Sequence, residues 1–94
     1  MKYVIYSELK EPYDENMKKM YKIEKERQAK GETFSQGEEY IDQYMFLGGN
    51  KGFLLVDTDD VSKVVKWTQA YSPVAKNIKV IPVLNRKEWE EISK

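Results

Sequence analysis

The stretch Tyr40-Ile41-Asp42-Gln43-Tyr44-Met45-Phe46-Leu47-Gly48-Gly49-Asn50-Lys51-Gly52-Phe53-Leu54-Leu55-Val56-Asp57 decides the fold. Tyr40 to Leu47 is strand-like, and Phe53 to Asp57 is apolar and bounded by polar residues. Between them lies Gly48-Gly49-Asn50-Lys51-Gly52, residues that tolerate the positive φ tight turns need, so the segment reads as a β-hairpin. In the second strand of the chain, Ile41, Met45 and Leu47 are set against Tyr40, Tyr44 and Phe46.

Downstream of the hairpin, Thr58-Asp59-Asp60 introduces Val61, Val64, Val65 and Thr68, an i, i+3, i+4, i+7 stripe that extends toward Tyr71 with Trp67 and Ala70 alongside. This spacing predicts a helix, with Asp59 as N-cap and Asp60 in the first turn. Ser72-Pro73 ends it, because proline disfavours α geometry in the residue before it. Ile78 to Leu84 predicts a strand, with Ile78, Val80 and Leu84 on one side and Ile81 and Val83 on the other. Pro82 cannot donate to a ladder and assigns that strand to a sheet edge. Asn85 with Glu88 three residues later predicts a capping box on a short final helix whose Trp89 and Ile92 dock on the body.

Upstream, Glu32 to Glu39 is a polar connection, or an extension of the helix before it, with Phe34 as its one candidate anchor. Pro12 to Lys30 predicts a helix carrying Met17, Met20, Tyr21 and Glu24 on one face. Pro12 and the acidic Glu11, Asp14 and Glu15 suit its start, and Gly31 suits its stop. Lys2 to Ser7 predicts the first strand, with Tyr3 and Ile5 on one side and Val4 and Tyr6 on the other.

The order βαββαβ plus a C-terminal helix predicts an α+β, ferredoxin-like domain over residues 1–94, with two helices on one face of a four-stranded antiparallel sheet. The strands are apolar on both sides, whereas a solvated sheet face alternates polar with apolar residues. The expected partner is a second copy of the chain, paired through the open sheet face, because a chain of 94 residues builds only a small core.

Composition narrows function. The chain has no His and no Cys, which removes disulfides, Cys or His zinc sites, Cys nucleophiles and Ser-His-Asp triads. The 16 basic residues balance the 16 acidic ones, without a basic tail, and this disfavours nucleic acid as a partner. No apolar run has the ~20 residues of a membrane helix, and the start Met1-Lys2-Tyr3-Val4-Ile5-Tyr6 is too short for a signal sequence, so a soluble cytoplasmic protein is expected.

The glycine turn lacks the GxxxxGK[ST] pattern of a phosphate loop and lies between two strands, where a hairpin accounts for it. Asp57, Asp59 and Asp60 do not have EF-hand spacing, and helix capping explains them without a metal. The Lys and Glu mixture from Lys18 to Lys30 reads as a solvated face with intrahelical ion pairs.

Aromatic residues make up 13% of the chain and include seven tyrosines. Tyr3, Tyr40, Tyr44, Phe46, Trp67 and Tyr71 are expected around the space between sheet and helices, giving an apolar pocket with phenol donors. Tyr3, Asp42, Tyr44, Trp67 and Tyr71 are the candidate ligand-binding residues. Asp42 becomes a base if burial raises its pKa, or a tyrosine donates a proton.

The run Leu47 to Phe53 into Val56-Asp57, then Asp59-Asp60, Trp67 and Val80-Ile81-Pro82-Val83-Leu84, resembles a family of small uncharacterised prokaryotic domains. The resemblance covers residues 40 to 88 by motif and residues 1 to 39 by pattern. That family is similar to the dimeric α/β-barrel group, in which two ferredoxin-like subunits pack sheet against sheet. The resemblance implies fold and assembly and carries over no catalytic residue, metal or cofactor.

Three functions follow as expectations. The first is a non-catalytic homodimer that binds a small, partly apolar ligand or serves an accessory role. The second is a cofactor-independent enzyme of the dimeric-barrel type using a carboxylate or a tyrosine. The third, single-stranded RNA binding, needs aromatics exposed beside lysines on the sheet.

Overall fold

A computed structural model of the chain describes residues 1–34, 37–47 and 49–94. The elements run β1 (Lys2–Leu9), α1 (Tyr13–Ala29), β2 (Tyr40–Met45), β3 (Lys51–Asp57), α2 (Val61–Tyr71), β4 (Ala75–Val83) and α3 (Arg86–Ile92). The four strands form one sheet in the order β2-β3-β1-β4 with every neighbouring pair antiparallel, which is the ferredoxin-like arrangement.

Local chemistry sets most boundaries. Pro12 precedes α1, Asp14 and Glu15 occupy its first turn, and Gly31 beyond its end has φ of 68°. Asn85 and Glu88 form the expected reciprocal capping box on α3. At α2 the cap is Asp60 rather than Asp59: its carboxylate accepts from the Ser62 amide at 3.0 Å, while buried Thr58 accepts the Asp60 amide at 3.1 Å. Asp59 stays in solvent near the N-terminal amine, at 3.6 Å. Pro82 lies in β4 opposite Tyr3 of β1, and β4 is an edge strand, the place in a sheet that accepts a residue without a backbone donor.

The register divides β1 as its alternation requires. Ile5 stands opposite Leu54 and Val80 on the helix side, whereas Val4 opposes Leu55 and Ile81, and Tyr6 opposes Phe53, on the open side. Two buried clusters fill the helix side. Ile5, Phe34, Leu54, Val56 and Val64 form one, with Tyr3 against it. Leu9, Tyr71, Val74 and Ala75 form the other, and Trp67 packs against both. Phe34 is thus the anchor expected of the Glu32 to Glu39 connection, of which Ser35 and Gln36 lie outside the described residues, as does Gly48 of the hairpin turn.

Three packing expectations are revised. The inward stripe of α2 is Val64, Trp67 and Tyr71, while Val61 and Val65 are exposed. Trp89 and Ile92 do not dock: they remain 64% and 70% exposed on a helix tied to the body through Lys2 Nζ to Glu88 at 2.7 Å. In β2 a register shift between Tyr40 and Asp42 changes the parity of the strand. Tyr40, Gln43 and Met45 therefore face the helices, while Asp42 and Tyr44 face the open side, opposite Leu55 and Phe53.

Candidate functional site

Between the sheet and the two long helices lies a cavity of about 320 Å3. It occupies the gap between the two buried clusters, with Trp67 at the seam. Met17, Met20 and Glu24 reach it from α1, because spacings of three and four residues bring them to one helix face. Trp67 and Tyr71 reach it from α2 by the same spacing, and their ring centroids are 4.6 Å apart. Ser7, Gln43 and Leu54 are among the residues that line the sheet side.

The polar centre of the cavity is Glu24. Its Oε2 accepts the hydroxyl proton of Tyr71, and its Oε1 accepts from Thr33 Oγ1 at 2.6 Å and from Gln28 Nε2 at 3.4 Å. Glu24 therefore joins α1, α2 and the connection that follows α1. Burial first, and the bond to Glu24 second, push the Tyr71 phenol far above its ordinary range. Arg27, also buried, lies one turn further along α1. Its guanidinium carbon is 5.6 Å from the Tyr71 ring centroid and its Nη2 donates to the Glu32 carbonyl at 2.7 Å. Its Nε has no hydrogen-bond partner among the described residues.

The five residues singled out from sequence divide between the two faces of the sheet. Trp67 and Tyr71 line the cavity. Tyr3 packs on the core cluster beneath α2 and does not line it. Asp42 and Tyr44 stand together on the opposite face, both exposed, and the carboxylate raises the neighbouring phenol chiefly as a hydrogen-bond acceptor. The expectation that Tyr44 and Phe46 border the space between sheet and helices is thereby corrected. The shift at Tyr40/Asp42 turns Tyr44 outward, and Phe46 stacks with Tyr6 and Phe53, at centroid distances of 5.9 and 6.2 Å. Glu24 and Thr33 are the site residues that the sequence reading did not single out for the pocket. The available signal was the place of Glu24 on the Met17 and Met20 face.

The open face carries Val4, Tyr6, Phe53, Leu55 and Ile81 by register, with Tyr44 and Phe53 in contact at 5.0 Å. One polar knot crosses it: Glu8 accepts from Tyr6 at 2.9 Å and from Asn77 at 3.1 Å, and Lys51 lies 3.9 Å away. Among the described residues, no group of three or more acidic side chains could hold a metal ion, and no helix is long and apolar enough to cross a membrane.

The model of the family described as Domain of unknown function (DUF3303) matches residues 1–94, and the chain belongs to that family. No curated protein matches the chain.

Proposed function

We propose that this member of the DUF3303 family is a non-catalytic binder of a small, partly apolar ligand, built as one domain per protomer and working as a homodimer in the cytoplasm. The observation that carries the reading is the cavity of about 320 Å3, whose walls are mostly aromatic, aliphatic and thioether side chains, with a few polar groups that include Glu24, Tyr71 and Gln43. Ligand sites commonly have this size and this balance, with apolar walls for affinity and a few placed polar groups for orientation. A fluorescence titration tests it. In a Trp89→Phe variant Trp67 reports on the cavity alone, and saturable changes on adding small aromatic probes are expected; an unresponsive Trp67 across such probes contradicts the reading.

The absence of catalysis in this reading is supported by where the acid-base candidates stand. Asp42 and Tyr44 are exposed on the face away from the cavity. Tyr71 does reach the cavity, yet its raised pKa makes it a poor proton donor near neutral pH, and its hydrogen bond is given to Glu24. A phenol so held suits positioning better than proton transfer.

The dimer is supported by the sheet's uncovered face and by α3. Val4, Leu55 and Ile81 form an apolar band beside the Tyr6, Phe46 and Phe53 cluster, and Trp89 and Ile92 project from a capped helix without cover. The chain measures 49 × 32 × 17 Å with a radius of gyration of 14.3 Å, more extended than the ~12 Å typical of a closed domain of this length. A second copy on the open face would thicken this slab and cover its aromatics. Single-stranded RNA fits less well, since Glu8, Asp42 and Asp57 share that face with Lys2, Lys51 and Lys79 and set both charge signs against a phosphate backbone. Sedimentation equilibrium at micromolar concentration is expected to give a dimer, and a stable monomer would contradict the assembly.

A further inference from the structure

We propose that the cavity recognises a neutral carboxamide on a small aromatic frame, through Ser7 and Gln43 on its sheet wall. This inference rests on the reading of the cavity as the ligand site and adds the chemical class of what enters it and the wall that its polar group meets.

The polar groups of the cavity fall into two sets. On the helix side Tyr71 and Thr33 both donate to Glu24, so that set is engaged within the chain. On the sheet side Ser7 of β1 and Gln43 of β2 line the cavity, and neither side chain has a hydrogen-bond partner among the described residues. The bond from Gln43 to the Asp42 carboxylate, at 2.8 Å, comes from the backbone amide and leaves the carboxamide available.

Both positions break an apolar pattern. Ser7 faces the helices between the core residues Ile5 and Leu9, and Gln43 stands opposite the buried Leu54. An inward position filled by a polar side chain that bonds nothing in the protein costs stability relative to an apolar residue, and such exceptions concentrate at functional sites. Between them β3 contributes Gly52, paired with Ser7 on one side and Met45 on the other, so no side chain of β3 rises beside the Ser7 hydroxyl.

The chemistry of the pair names its complement. A hydroxyl and a carboxamide are neutral, and each both donates and accepts. A ligand carboxamide can meet that of Gln43 edge to edge, with one bond in each direction. A carboxylate gains less, because Lys51 at the hairpin end stands opposite Glu8 on the open face, with its ammonium 3.9 Å from that side chain. The aromatic body of the ligand then lies toward Met17, Met20 and Trp67. Gln43 is exposed, so water reaches this wall in the free chain, and each bond to a ligand is worth only the modest difference between ligand and water.

Benzamide, acetophenone and benzoate, which share one shape, test this at neutral pH, each titrated against the full chain and followed by backbone and side-chain amide chemical shifts. Benzamide is expected to move the Gln43 side-chain NH2 signals of the unmodified chain saturably and to bind more tightly than benzoate. Gln43→Leu and Ser7→Ala are each expected to weaken benzamide about three- to tenfold more than acetophenone, which lacks the donor. Benzamide that binds in the cavity without moving the Gln43 NH2 signals, benzoate that binds as tightly as benzamide, or equal losses for benzamide and acetophenone in both variants would overturn the inference and leave the cavity as a ligand site. Failure of all three probes to shift Met17, Trp67 or Tyr71 would overturn the cavity reading and the inference together. The Gln43 signals of the unmodified chain decide the matter even if a variant does not fold.

Discussion

Tyr71 of α2 donates its hydroxyl proton to Glu24 of α1, so one hydrogen bond fixes the spacing of the two helices over the cavity. The bond is charge-assisted and its donor is almost fully buried, which places it among the stronger side-chain hydrogen bonds. Removing the hydroxyl in Tyr71→Phe should cost about 1 to 2 kcal/mol, measured by urea unfolding. Tyr71→Ala should cost more, about 3 to 5 kcal/mol, because the ring's packing against Trp67 and Val74 would also be lost.

The same bond sets an alkaline limit. The Tyr71 phenol is raised above its usual 10.0 by burial and by Glu24. The folded chain therefore keeps this proton at pH values where the unfolded chain has released it. Its contribution is whole below about pH 10 and declines as pH rises further. Lys2 and Lys63, raised through their bonds to Glu88 and Glu39, change in the same direction. Tyr71→Phe should therefore flatten part of the alkaline decline in unfolding midpoint and leave the lysine share.

On the acid side the sign reverses. Asp60 is lowered by accepting from Ser62, Glu39 by Lys63 and Glu88 by Lys2. Each contributes stability above the ordinary carboxylate range of about 4 and loses it as pH falls through the folded value. Asp60→Ala should lower the urea unfolding midpoint at neutral pH through the lost N-cap and should weaken the acid dependence of unfolding.

Gly52 is fixed by close approach. A Cβ there would lie 2.5 Å from the Tyr44 carbonyl oxygen and 3.1 Å from the Met45 sulfur, so β2 would have to move off β3. Gly52→Ala should cost about 1 to 3 kcal/mol and raise amide exchange across the β2–β3 ladder. Gly49, where a Cβ meets only the Lys51 side chain at 3.8 Å, should tolerate alanine far better.

The open sheet face supplies an independent check. Leu55 lies on that face between Val4 and Asp42, away from the cavity. Leu55→Glu should leave the fold intact and convert a dimer to a monomer in sedimentation equilibrium, because a charge would be desolvated at the interface. An unchanged dimer would assign the contact to another surface.

The elements and their order were legible because their ends carry strong local signals: Pro12 and Gly31 around α1, Ser72 and Pro73 after α2, and the Asn85 and Glu88 box on α3. The candidate site was legible only in part. Period-two reading assigns Tyr40 and Tyr44 to one face, and a single register shift between Tyr40 and Asp42 separates them. Stripe counting likewise favours Val61 and Val65 over Trp67, since local spacing does not say which face of α2 meets the sheet. Glu24 is hidden by its own helix: on a segment rich in Lys and Glu a carboxylate reads as solvated, and partners from outside the helix, Tyr71 and Thr33 among them, distinguish it.

Amide shift mapping of the isotopically labelled chain, titrated with the small aromatic probe phenethyl alcohol, tests the central claim most directly. The account predicts saturable shifts gathered on Met17, Met20, Glu24, Trp67 and Tyr71, with the open-face residues Val4, Asp42 and Leu55 unmoved. Shifts confined to the open face, or none at saturating probe, would contradict it.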